Sequence, residues 1–269
     1  MTRARWANTA LRRVAIPSLF TGRPNLALRS ESVPSAAESA PSAPSSVATP
    51  ETRRAIVVDR MVKTYHTHIG ERVVLDGISF QVNEGEKLAV LGRNGSGKTT
   101  LVKLLGGVEL PTSGSVRRDL MMSWPLGFSG GVEGTMTGAA SARFIARLYG
   151  RDEKDILAFV DDFAELGQQL YIPTEAYSSG MRMRLLFALT LAVEFECFLI
   201  DEVIAVGDHR FHEKCYNELF VKRGHRAMIL VSHDQHVIKQ YCSRALVLKA
   251  GRGRVFDDVD FALKIYNTL

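Results

Sequence analysis

Gly92-Arg93-Asn94-Gly95-Ser96-Gly97-Lys98-Thr99 is the stretch from which the rest of the chain can be read. It fits the pattern G-x-x-x-x-G-K-[ST]. The apolar run Lys87–Leu91 before it reads as a buried strand that enters the glycine-rich turn directly, and Thr99–Leu105 after it has helical character. Strand, loop and helix in that order make a cradle for phosphate. The glycines let the backbone curl until several N–H groups point at one anion, and the positive end of the following helix adds to them. Lys98 can then reach the outer phosphates of a nucleotide, and the Thr99 hydroxyl can ligate Mg²⁺.

Downstream, Cys197-Phe198-Leu199-Ile200-Asp201-Glu202 is an apolar strand that ends in two acids. Two carboxylates at a buried strand end are costly unless a metal and a substrate satisfy them. After a phosphate-binding loop, this pattern assigns Asp201 to Mg²⁺ and Glu202 to the attacking water. The intervening and following segments alternate. Strands are expected at 56–58, 73–75, 78–82, 197–201, 227–231 and 245–249. Helices are expected at 181–194, 209–221, 234–242 and from Asp258 onward. A block at about 127–180 differs: Thr137 caps a helix through Leu148, and Asp155–Leu166 has helical spacing with Gly167 as its stop. Alternating strands and helices imply an α/β fold, a mainly parallel sheet covered on both faces and carrying a helical insertion.

Composition narrows the function classes. The chain has 269 residues, 46% hydrophobic and 23% charged, which fits a globular protein with a full core. Its net charge of +5 suggests nucleic acid until the charge is located. Residues 1–50 carry +4, from six arginines against Glu31 and Glu38, so the remainder is near neutral at +1. Residues 30–50 are nearly all Ser, Ala and Pro and are expected to be a disordered linker. The Arg-rich stretch before them reads as an unstructured extension, with an organellar targeting segment or an amphipathic membrane-surface helix as the alternatives. Cys197, Cys215 and Cys242 lack metal or redox spacing and are expected to be reduced thiols of a cytoplasmic protein. No apolar run approaches the length of a membrane span.

Further motifs go beyond a plain phosphate-binding loop. Tyr177-Ser178-Ser179-Gly180-Met181 precedes a helix rich in Arg and Leu, with Gly180 placed 21 residues before Asp201. His233 ends the run Ile229-Leu230-Val231-Ser232, 31 residues after Glu202. Asp208 follows Ala205-Val206-Gly207, and Tyr65 stands 27 residues before Gly92. In this order the motifs resemble those of the ATP-binding subunits of ABC transporters, over about residues 54–269. The resemblance implies the P-loop ABC ATPase fold, with an N-terminal antiparallel β region. It implies ATP contacts at Tyr65, at Gly92 through Lys98, Thr99 and Thr100, and at Ser178, Ser179, Gly180 and Asp208. Tyr65 would stack on adenine, Asp208 would lie at a dimer interface, and Ser178 with Gly180 would clamp the γ-phosphate held by the other copy. Thr99 and Asp201 would hold Mg²⁺. Lys98, Glu202 and His233 would carry catalysis, with His233 on the γ-phosphate.

Two departures sharpen the resemblance. Most ABC ATPases carry a Gln at the entry to the insertion, whereas no Gln occurs here between Gln81 and Gln168, and Gly127 falls at that position. The signature has Ser179 and Met181 where Gly and Gln are usual. With Ser123-Trp124-Pro125, the Gly-rich 127–138 segment and Ala142-Arg143-Phe144-Ile145-Ala146-Arg147-Leu148-Tyr149-Gly150, this is similar to the ATPases of bacterial capsular polysaccharide export. O-antigen export ATPases often carry an extra C-terminal carbohydrate-binding domain, which is not expected here; they, teichoic acid exporters and other ABC exporters are the alternative. The resemblance implies a homodimer on the cytoplasmic face of the inner membrane. It further implies an integral membrane permease, and periplasmic or outer-membrane export components as further partners. DNA- or ribosome-acting ABC ATPases usually have coiled-coil insertions or tandem units, absent from this sequence, and no nucleic acid partner is expected. A small-molecule kinase would have no use for these motifs in this order.

Overall fold

A computed structural model describes residues 54–68, 70–126, 134–201, 209–232 and 234–269. The extension expected over residues 1–50 lies outside the described residues, as does Gly127. The described chain opens with β1 (Ala55–Thr67), β2 (Gly70–Asn83) and β3 (Lys87–Gly92), then α1 (Lys98–Leu105) and β4 (Ser113–Arg118). The insertion supplies α2 (Gly138–Leu148) and α3 (Glu153–Ala164), and leads to α4 (Ser179–Ala192). The chain returns through β5 (Cys197–Asp201), α5 (His209–Tyr216), β6 (Ala227–Val231) and α6 (Gln235–Tyr241). It finishes with β7 (Arg244–Lys249), β8 (Arg252–Phe256) and α7 (Val259–Asn267).

The described strands form two sheets. One is antiparallel, in the order β2-β1-β4; the other runs β5-β6-β3-β7-β8. In the second, β5, β6, β3 and β7 are parallel and only the edge strand β8 is antiparallel. Near-continuous apolar runs suit a sheet covered on both sides, and every residue of β6 is buried. Alternate side chains serve different cores. Ala89 and Leu91 belong to one core, shared by the insertion and helices α4–α7, whereas Leu88 and Val90 belong to the core of the antiparallel sheet and α1. Phe198 and Ile200 divide from Cys197 and Leu199 in the same way. Because β3, β5 and β6 run in one direction, their carboxyl ends emerge at one edge, where such sheets bind ligands.

The insertion is held by caps and by aromatic contacts. Thr137 Oγ1 accepts the Ala140 N–H at 3.0 Å, and Asp152 caps α3. The Ser123-Trp124-Pro125 run lies along β5: Ser123 N–H donates to Cys197 O and Leu126 N–H to Leu199 O, both at 2.9 Å. Buried Ser123 Oγ accepts the Leu199 N–H at 2.9 Å. Trp124 then packs edge-on against Phe195, with ring centroids 5.3 Å apart. The run therefore fixes the entry to the insertion beside the strand that carries Asp201.

The elements depart from the sequence expectation mainly at edges. β4 and β8 are largely polar or part-exposed, so neither has an apolar pattern to announce it. Helix α3 stops at Ala164, earlier than its apolar spacing suggests, because Glu165 adopts a left-handed conformation at φ 53°. The helix expected at 209–221 is α only to Tyr216 and continues as a π turn through 217–222. Burial pushes all three cysteine thiols up to about 12, so they stay protonated and unreactive.

Candidate functional site

The loop between β3 and α1 has the shape its glycines suggest. Gly95 and Gly97 have φ values of 80° and 106°, which side chains rarely adopt. At Gly97 space is also closed, since a Cβ there would meet Leu75 Cδ2 at 2.6 Å and Val74 O at 3.2 Å. Ser96 N–H donates to Arg93 O at 3.1 Å, which tightens the curl. Buried Lys98 folds back over the loop, and its Nζ donates to Gly92 O at 2.7 Å. No acid occupies the first turn of α1, so its positive end stays uncompensated toward the loop.

This loop forms one wall of a cavity of about 760 Å³. Asn94, Gly95, Gly97, Lys98, Thr99 and Thr100 line it from the loop and α1, and Asp201 lines it from the end of β5. The opposite wall belongs to the β1–β2 hairpin, through Tyr65, Thr67, Arg72 and Val74. Tyr65 and Arg72 sit directly across from each other in the antiparallel register. One end of the cavity thus offers N–H groups, a lysine and a hydroxyl, and the other an aromatic ring and a guanidinium. That is a site for an anionic chain carrying a flat, apolar head.

The Tyr65 ring is firmly seated. Its hydroxyl donates to Glu109 Oε2 at 2.6 Å, and Lys63 Nζ lies 4.9 Å from the ring centroid. Burial raises the Tyr65 pKa, helped by Glu109. The Tyr65 hydroxyl holds the Glu109 carboxyl below its usual range, with Lys63 and Lys103 assisting.

Other candidate residues lie elsewhere. Arg93 turns away from the cavity: its Nη1 donates to Leu269 O at 3.1 Å beside a smaller hollow of about 270 Å³. Gly92 and Ser96 are buried under the loop and do not line the main cavity. Ser178 and Ser179 are exposed at the start of α4, where Ser178 Oγ accepts the Met181 N–H at 3.2 Å. They and Gly180 do not share the cavity of their own chain. Glu202, Asp208 and His233 lie outside the described residues.

Known proteins match this sequence and this fold. The family model described as "ABC transporter" matches residues 75–205. The capsule polysaccharide export ATP-binding protein CtrD of Neisseria meningitidis serogroup B is 53% identical over 80% of this chain and 99% of its own length. This chain belongs to the ABC transporter ATP-binding family. The ATP-binding protein BexA of Haemophilus influenzae is 52% identical over 79% of the chain and 98% of its own length. Among solved structures, the ATP-binding cassette MJ0796, a dimer in a post-hydrolysis state bound to ADP and Pi, aligns with a TM-score of 0.63. It is 20% identical over 75% of this chain and 97% of that one, a likeness of fold.

For this ABC chain, Thr99 and Asp201 bring a hydroxyl and a carboxylate to one cavity, and such hard oxygen donors suit Mg²⁺. No cluster of three or more His, Cys, Asp or Glu among the described residues would hold a metal by itself. Sequence reasoning missed Thr67, Arg72, Val74 and Glu109. Three of them enter the site through hairpin pairing, and Glu109 enters through a loop after α1; no local motif marks any of them. Among the described residues no helix is long and apolar enough to cross a membrane.

Proposed function

We propose that this chain is the ATP-hydrolysing motor of an exporter that carries capsular polysaccharide across the inner membrane. The observation that carries this reading is 53% identity to a capsule export ATP-binding protein over nearly that protein's whole length. The cavity between the phosphate loop and the Tyr65 hairpin supports nucleotide as the ligand.

In this reading ATP lies with its base on Tyr65 and its phosphates on the loop. The N–H groups of Asn94, Gly95, Gly97, Lys98 and Thr99, the end of α1 and the Lys98 side chain neutralise the phosphate charge before reaction begins. Thr99 and Asp201 would hold Mg²⁺, which supplies further neutralisation of the β- and γ-phosphates. Glu202 orients and deprotonates the attacking water, and His233 contacts the γ-phosphate. Ser178, Ser179 and Gly180 act on the nucleotide of a second copy, with Asp208 at that interface. Their exposure away from their own cavity supports this division of labour. Loss of the γ-phosphate removes the contacts holding the copies together, a ligand-driven switch. The insertion and the loop entered through Trp124 then work on an integral membrane permease at the cytoplasmic face. Export components beyond the inner membrane complete the path.

The test uses a capsulated bacterium lacking its own export ATPase, supplied with this chain and its permease. Wild type restores polysaccharide at the cell surface. Glu202→Gln binds ATP, accumulates as a closed dimer and restores none, with turnover lowered by roughly 10²–10³-fold. Surface polysaccharide with Glu202→Gln, or none with wild type, overturns the reading.

A further inference from the structure

Tyr65 does not stand alone on its hairpin. Its hydroxyl is held at 2.6 Å by Glu109, which lies on the loop after α1. Glu109 is itself three-quarters buried, at 24% exposure, and meets Lys63 Nζ at 3.1 Å and Lys103 Nζ at 3.4 Å. Lys103 belongs to α1, the helix whose first turn carries Lys98, Thr99 and Thr100. Lys63, only 14% exposed, also donates to Leu110 O at 2.9 Å and sits by the Tyr65 ring. One carboxylate thus joins the ring on β1 to the helix that presents the phosphate loop.

We propose that Glu109 is a positioning residue for the nucleotide base: it sets the Tyr65 ring, with Lys63 covering one ring face so that the base stacks on the other. The geometry gives three reasons. A tyrosine ring on a strand keeps freedom about two side-chain torsions, and a charge-assisted hydrogen bond at its far end removes most of it. The lysine lies within cation–π range of the ring and occupies one face. The rest of the hairpin wall, Thr67, Arg72 and Val74, lines the cavity with the ring. An aromatic platform fixed before the ligand arrives loses less freedom on binding. Because the anchor sits on the α1 side, base stacking and phosphate binding share one rigid frame.

This inference rests on the ATP reading of the cavity, and the experiment separates the two. ATP and inorganic triphosphate are titrated into the full chain by calorimetry, and ATPase kinetics are measured on the same variants. Tyr65→Ala weakens ATP by roughly tenfold, the scale of one base–aromatic stack, and leaves triphosphate unchanged. If it leaves ATP unchanged, the base platform itself fails. Glu109→Gln and Tyr65→Phe each raise KM for ATP roughly three- to tenfold, the scale of one ordinary net hydrogen bond. Both leave kcat and triphosphate affinity near wild type. The double variant is no worse than Tyr65→Phe alone, since without the hydroxyl residue 109 has nothing left to hold. Wild-type KM in both single variants, with Tyr65→Ala still impaired, overturns the positioning role alone. Weakened triphosphate binding in Glu109→Gln also overturns it, because that outcome assigns Glu109 to the fold of α1.

Discussion

The two walls of the nucleotide cavity are built on opposite principles. The phosphate wall is mostly backbone: N–H groups on a glycine loop, backed by a helix and by the buried strand β3. The hairpin wall is mostly side chain: an aromatic ring and a guanidinium on paired strands, steadied by a carboxylate from the α1 loop. In the ATP reading proposed above, the first would read charge, which all nucleoside triphosphates share. The second would read the apolar head and depends on where particular side chains stand. A backbone site tolerates few substitutions at its glycines because conformation itself is the binding element. A side-chain site can lose one contact and keep most of its affinity.

Substitutions can break that contrast in order of size. Lys98→Ala removes the only side-chain cation that the loop and α1 contribute to the cavity lining. Affinity for ATP and for inorganic triphosphate falls alike, by roughly 100-fold, as read by calorimetry. Unchanged affinity would count against the phosphate wall. Gly97→Ala forces a side chain into a positive φ and against Leu75. Thermal or urea denaturation shows a loss of about 1–3 kcal/mol, and binding of both ligands weakens with it. Arg72→Ala touches only the hairpin wall. ATP binding weakens by about threefold and its salt dependence flattens, the scale of an exposed charge. Thr137→Ala touches neither wall. It costs about 1 kcal/mol in stability through the lost α2 cap while ATP affinity stays at wild type. A change of affinity there would show that the insertion and the cavity are coupled within one chain.

Legibility in the sequence follows the same division. The strand–loop–helix unit around Lys98 is local, so its residues, their order and their conformational needs all appear within one short stretch. The buried strands β3, β5 and β6 are equally visible because full burial demands apolar side chains throughout. Strands β4 and β8 carry polar residues at sheet edges and leave no such trace. Tyr65 is a candidate through its distance from the loop and the family resemblance, yet nothing local says what holds its ring. Arg72 faces it because of strand register, and Glu109 meets its hydroxyl across 44 residues of chain. The Ser123-Trp124-Pro125 run was legible as a family feature, but its physical task, hydrogen bonding along β5, was not.

The sequence by itself determined the phosphate loop, the alternating α/β order and the family. Each is written in short-range pattern: glycine where the backbone must curl, apolar runs where strands are covered on both faces, motifs at set spacing. Only the tertiary structure decided which side chains complete the cavity, that Arg93 turns out of it and that the signature serine stands apart from it. Those outcomes depend on strand register and on how the two sheets and α1 come together. Residues far apart in the chain acquire a shared task only when packing places them within bonding distance.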